Sequence, residues 1–141
     1  MPHTPFRLVP QVGLLPIRLG MHLKDVNEGL ATAPTSIVSL GASIKWVEYG
    51  DLAAVDVDEH DLVFGITCTL LGAKTVHLGG VPIIADGSWL PAAAPLIRSL
   101  GPYQLYDGLM LFGELGLVFP DRMDNADTSG QFISVTSPFC D

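Results

Sequence analysis

Apolar and polar residues recur with two different periods along this chain. From Leu23 to Leu30 the apolar positions Leu23, Val26 and Leu30 fall at i, i+3 and i+7, with Lys24, Asp25 and Glu28 on the opposite side, which predicts an amphipathic helix. Pro34 closes that region, because the residue before a proline avoids helical geometry. Ahead of it, Leu14 to Arg18 reads as a short strand. Beyond it, Ser36 to Leu40, Ser43 to Tyr49, Leu52 to Val57 and Leu62 to Leu71 alternate in part with period two. They are bounded by Gly41, Gly50 and an acidic turn, which predicts a meander of antiparallel strands.

The second half opens on a hairpin. Lys74 to Leu78 and Val81 to Ile84 flank Gly79-Gly80, a dipeptide suited to the positive φ angles of a tight two-residue turn. Trp89 to Leu100 reads as a second helix, but Pro95 inside it removes a hydrogen bond at a cost of ~3 kcal/mol, so regular helix is expected to begin only at that proline. Leu109 to Phe112, Leu115 to Phe119 and Gln131 to Ser137 complete the predicted strands, with a polar loop from Pro120 to Gly130.

The two halves echo each other. Tyr49-Gly50-Asp51-Leu52 returns as Phe112-Gly113-Glu114-Leu115, Leu15-Pro16-Ile17 as Val81-Pro82-Ile83, and Val63 to Cys68 as Phe132 to Ser137. Similar offsets for all three predict a duplicated supersecondary unit. The expected architecture is an α+β fold in one domain, residues 1–141, built of two tandem helix-plus-meander repeats at about 9–71 and 72–141. Both helices would pack on one face of an antiparallel sheet.

Composition narrows the function classes. A chain of 141 residues with 48% hydrophobic and 16% charged residues folds as one ordinary domain. No run approaches the ~18 apolar residues a membrane helix needs. The N-terminus lacks the charged head and apolar core of a signal peptide, so the cytoplasm is the expected location. Cys68 and Cys140 fall near equivalent places of the two halves and read as free thiols rather than a disulfide framework.

Charge changes the picture more. Seven basic against 15 acidic residues give a net charge of −8, which opposes binding to nucleic acid or an anionic membrane and favours a basic partner. No Lys or Arg occurs between Lys45 and Lys74, where Glu48, Asp51, Asp56, Asp58, Glu59 and Asp61 all stand. Glu114, Asp121, Asp124 and Asp127 form a second acidic group, relieved by Arg122.

The segment Ile17-Arg18-Leu19-Gly20-Met21-His22-Leu23-Lys24-Asp25-Val26 resembles the opening of small bacterial tandem-repeat domains. These are the beta-lactamase-inhibitor-protein type and the related outer-membrane-assembly lipoprotein domain. The resemblance implies a helical element followed by antiparallel strands, and a sheet surface that binds another protein. The second half departs from the motif, with Asp86-Gly87-Ser88 in place of Gly20-Met21-His22, and no individual binding residue carries over.

Candidate chemistry is sparse. Asp56 to Asp61 has Asp where a calcium loop requires its sixth-position glycine and lacks the closing glutamate, so it reads as a solvated turn. His3, His22, His60 and His77 show no metal-ligand spacing. Cys68 and His77 lack a third group to orient the base. The expectation is therefore no enzyme, no cofactor and no metal. Trp89, Phe64, Phe112 and Phe119 read as core aromatics. Trp46, Tyr49, Tyr103 and Tyr106 read as interface anchors beside the acidic residues Asp56, Asp58, Glu59, Asp61, Asp121, Asp124 and Asp127. These features suggest a protein-binding domain, an inhibitor or immunity protein that neutralises a basic toxin or effector. Two alternatives stand beside it: a ligand-binding or enzymatic domain with a pocket between the repeats, and a homo-oligomer, such as a homodimer, formed through a sheet edge.

Overall fold

Pro16 splits the first predicted strand in two, since a proline cannot donate to the ladder. In the computed structural model, which describes residues 6–72, 74–123 and 130–139, β1 (Phe6–Val9) is followed by β2 (Gly13–Leu15) and β3 (Ile17–Arg18). Then come α1 (Leu23–Leu30), β4 (Ser36–Gly41), β5 (Ile44–Tyr49), β6 (Ala53–Val57) and β7 (Val63–Thr69). The second half runs β8 (Thr75–Leu78), β9 (Val81–Ala85), β10 (Ser88–Trp89), α2 (Ala93–Arg98), β11 (Gln104–Tyr106), β12 (Leu109–Phe112), β13 (Leu117–Pro120) and β14 (Phe132–Thr136).

The α+β expectation is corrected. The chain is mostly β, with a six-stranded mixed sheet in the order β10-β9-β8-β1-β2-β3 and an eight-stranded antiparallel sheet in the order β11-β12-β13-β14-β7-β6-β5-β4. Its helices have only eight and six residues, and they do not form a layer on a meander. The physical reason lies in the segments before each helix. They build a sheet of their own, joined by the parallel pairing of β1 with β8 across nearly half the chain. Helix α2 begins at Ala93 and not at Pro95 as expected, because Pro95 falls in its first turn, where the missing N–H has no intrahelical partner to lose. In both halves the elements follow one order: two strands, a short strand, a helix and four strands.

Alternation in the large sheet sorts side chains between a core face and an outer face. Directly opposed residues Val47, Val55, Ile66, Val135, Leu117 and Phe112 form one buried row across six strands. The neighbouring row on the outer face runs Ser36, Glu48, Ala54, Thr67, Ser134, Val118, Leu111 and Gln104. Phe6, Leu8, Leu14 and Ile17 of the small sheet belong to the same core, where β2 approaches β14. Phe112 and Phe119 meet edge to face with centroids 5.8 Å apart, an arrangement worth ~1 kcal/mol beyond its buried area.

Helix α1 starts at His22, whose Nδ1 accepts the Lys24 N–H at 3.0 Å, and ends at Ala31 in the left-handed region at φ 56°. Its buried Val26 faces the core. Its N-terminal approach pins the β6–β7 turn. Leu23 donates to the Asp61 carbonyl at 2.8 Å, Gly20 to the Val63 carbonyl at 2.7 Å, and Val63 back to the Met21 carbonyl at 2.8 Å.

Candidate functional site

Strands β5 and β6 place Trp46 directly opposite Asp56, and Asp56 in turn opposes Gly65 of β7. All three lie in one outer-face row that begins with Val38 of β4 and ends with Thr136 of β14. Gly65 leaves room for the carboxylate here, because a Cβ there would sit 2.9 Å from Asp56 Oδ2 and the Asp56 side chain would have to shift. The carboxylate thus lies over bare backbone, half-buried. Burial pushes its pKa above the ordinary aspartate range.

The turn after Asp56 carries further acid. Asp58 Oδ1 accepts the N–H groups of His60 and Leu62 at 2.9 and 3.0 Å. The bond from Leu62 does most to hold its carboxyl below the ordinary range. Glu59 lies 3.4 Å from His60 at the surface. Asp61 pairs with Lys45 at 3.2 Å, so part of its charge is already answered within the chain. Asp56, Asp58 and Glu59 have no lysine or arginine within ion-pair distance among the described residues.

The chain matches no family model, and no curated protein or solved structure is detectably similar to it.

The remaining expected residues do not join this patch. Tyr49 is 2% exposed and faces the core, so it is no surface anchor; its hydroxyl donates to Asn27 Oδ1 at 2.5 Å. Alternation explains the difference, since Tyr49 shares the face of Val47 and not that of Trp46. Tyr103 is half-buried against Phe112, with ring centroids 5.1 Å apart. Tyr106 is exposed on β11, five strands from Asp56 in the sheet, which is about 24 Å at the usual strand spacing. Asp121 is engaged by Arg98, whose guanidinium donates to its backbone carbonyl at 2.9 Å and lies 3.8 Å from its carboxylate. Asp124 and Asp127 lie outside the described residues, as does Cys140.

Phe64 was expected in the core and is instead 39% exposed. It occupies the register shift between β6 and β7, where Val57 pairs with Val63 and Asp56 with Gly65. Ile37, Val38 and Leu40 on edge strand β4 are exposed as well. Two signals pointed to these positions. The apolar, uncharged stretch Ser36 to Gly41 does not alternate cleanly, and a glycine inside β7 marks a close approach or a bulge.

Cys68 and His77, the pair weighed for nucleophilic chemistry, stand on strands of different sheets. Cys68 is a free, buried thiol, pushed up to about 11 by burial, with nearby Lys74 acting in the opposite direction. His77 belongs to the other sheet, on β8. Lys74 is 3% exposed, and its ammonium donates to the backbone carbonyls of Asp51 and Leu71. Burial lowers its pKa, and its bonding is that of a strut between the β5–β6 turn and the end of β7. A cavity of about 160 Å³ at the β11–β12 rim, lined by Pro102, Tyr103, Gln104, Leu111, Gly113 and Glu114, holds neither Cys68 nor His77. Among the described residues no group of three or more His, Cys, Asp or Glu could hold a metal ion, and no helix is long and apolar enough to cross a membrane.

Proposed function

We propose that this domain binds a basic protein through the outer face of its large sheet around Asp56, as an inhibitor or immunity protein that neutralises a cationic toxin or effector. The observation that carries this is the Asp56–Trp46 pair. A carboxylate kept half-buried and directly opposite an indole-bearing residue, with no lysine or arginine within ion-pair distance among the described residues, fits an incoming lysine or arginine, which gains both the ion pair and the ring face. Asp58 and Glu59 on the adjoining turn add the long-range attraction that speeds encounter with a positively charged surface. The bond from Leu23 to the Asp61 carbonyl and the two N–H bonds to Asp58 hold that turn in one shape before any partner arrives.

The cavity at the β11–β12 rim, at about 160 Å³, falls below the roughly 300 Å³ at which ligand pockets begin and offers a small ligand little room. The cytoplasm is the setting this proposal assumes.

The test is affinity capture of the tagged protein from a lysate of its native host, washed at low and high salt and read by mass spectrometry. One stoichiometric basic protein, released by salt, is the expected result. Recovery of an acidic or neutral partner that resists salt, or of this chain alone, would overturn the proposal.

A further inference from the structure

Four strands end the two sheets, and three of them are short: β3 and β10 have two residues each and β11 has three. Strand β4 has six, Ser36-Ile37-Val38-Ser39-Leu40-Gly41, with no proline and no charge. Long edges in folded proteins are normally blunted by lysine, proline or a bulge. Here only the far end is blunted, by the register shift between Ser39 and Gly41, and Ser36 to Ser39 stay regular. Ile37 and Val38 are 57% and 45% exposed.

Each face of this edge has a direction to it. Toward the core face, Ile37 continues the buried row of Val47, Val55 and Ile66 and is its exposed end. Toward the outer face, Ser36 precedes Glu48, and Val38 precedes Trp46 and Asp56. We propose that β4 receives an extended basic segment of the partner as an added antiparallel strand, with an apolar residue opposite Ile37 and a lysine or arginine opposite Ser36. This rests on the function proposed above and names how the partner is held.

The geometry supplies the preference. Strands lie about 4.8 Å apart, so a residue opposite Ser36 is about 9.6 Å from Glu48, a gap that two extended, oppositely charged side chains close across the small serine. The apolar neighbour covers Ile37 and lengthens the core row by one strand. A second copy of this chain fits the edge less well. Each copy has a net charge of −8, and pairing two β4 strands would bring Glu48 and Asp56 of both copies to the same outer face.

The probe is a labelled synthetic decapeptide of alternating lysine and valine, titrated by fluorescence anisotropy, with a glutamate–valine peptide as its counterpart. The lysine peptide should bind at least about tenfold more tightly than its counterpart, and Ile37→Lys, at an exposed position, should weaken it by about tenfold or more. Glu48→Gln should weaken it by a smaller factor and reduce its salt dependence. Amide exchange of Ser36 to Ser39 should slow when the peptide binds. Equal binding to wild type and Ile37→Lys, or protection at β11 instead of β4, would overturn the edge assignment. So would a concentration-dependent dimer that Ile37→Lys abolishes, since the occupant would then be a second copy. If a captured basic protein binds Ile37→Lys as tightly as wild type, the edge assignment falls while the proposed function stands. If the captured partner is not basic, the proposed function falls first.

Discussion

Asp56 and Trp46 stand directly opposite each other on neighbouring strands, and Gly65 on the third strand leaves the carboxylate room to lie over backbone. Burial there raises the Asp56 pKa from 3.8, so its folded value lies above its unfolded one. Such a group stabilises the fold only below the unfolded pKa, and that contribution is lost as pH rises through the folded pKa. At neutral pH the ionised carboxylate is therefore a small burden on stability. Asp56→Asn should raise the melting temperature slightly at pH 7, and the gap should narrow as the pH approaches 3. Thermal unfolding followed by circular dichroism at several pH values checks this; a variant less stable than wild type at pH 7 would show that Asp56 serves the fold instead.

Tyr49 ties β5 to α1 through its 2.5 Å bond to Asn27. Tyr49→Phe removes the donor and should cost about 1 kcal/mol, readable in urea denaturation. Burial raises the Tyr49 pKa from 10.0 to about 12, so its stabilising contribution is whole below pH 10 and disappears as pH climbs toward 12. Cys68, pushed up to about 11, also titrates in this range, and for this reason the informative quantity is the wild-type minus Tyr49→Phe difference. That difference should shrink between pH 10 and 12.

Gly116 sits at φ 68° in the β12–β13 connection, where a Cβ would lie 2.0 Å from the Thr136 carbonyl oxygen, while its own carbonyl accepts the Thr136 N–H at 2.7 Å. Gly116→Ala should destabilise by at least about 2 kcal/mol, through left-handed strain and a backbone clash that no rotamer relieves. Gly108, at φ 79° with nothing within 4 Å, is the control. Gly108→Ala carries only the conformational term of about 1 kcal/mol. Chemical denaturation of both variants separates the two contributions, and equal losses would contradict the close approach.

The Cys68 thiol, 1% exposed and pushed up to about 11, should be inert in the folded protein. In a Cys140→Ser background at pH 8, a thiol reagent should label Cys68 only once denaturant unfolds the chain. Fast labelling of the native protein would reopen a role for Cys68 as a nucleophile.

How far the fold was legible follows the range of the interactions involved. Helix α1 coincides with its predicted span because its pattern and its ends are local: apolar spacing inside, His22 before it, Pro34 beyond it. The hairpin turn at Gly79-Gly80 was legible because both central residues take positive φ, which glycine allows at no steric cost. The second sheet was not legible. Phe6 to Val9 is a brief segment between prolines whose partner, Thr75 to Leu78, lies far along the chain, and no local pattern announces a parallel pairing. In the candidate site, Trp46 and Asp56 were both singled out by residue type, but their opposition depends on register. Tyr49 was misjudged because its neighbours are polar while its own parity along β5 points it inward. Phe64 escaped because a bulge breaks the alternation at that point.

The claim of a charge-steered protein interface is tested most directly by association kinetics with the captured partner across a range of ionic strength. Wild type would be compared with a variant carrying Asp56→Asn, Asp58→Asn, Glu59→Gln and Asp61→Asn. The account predicts that wild-type association slows steeply as salt rises, and that the variant associates more slowly at low salt with a much flatter dependence. Identical rates and slopes for the two proteins would contradict it.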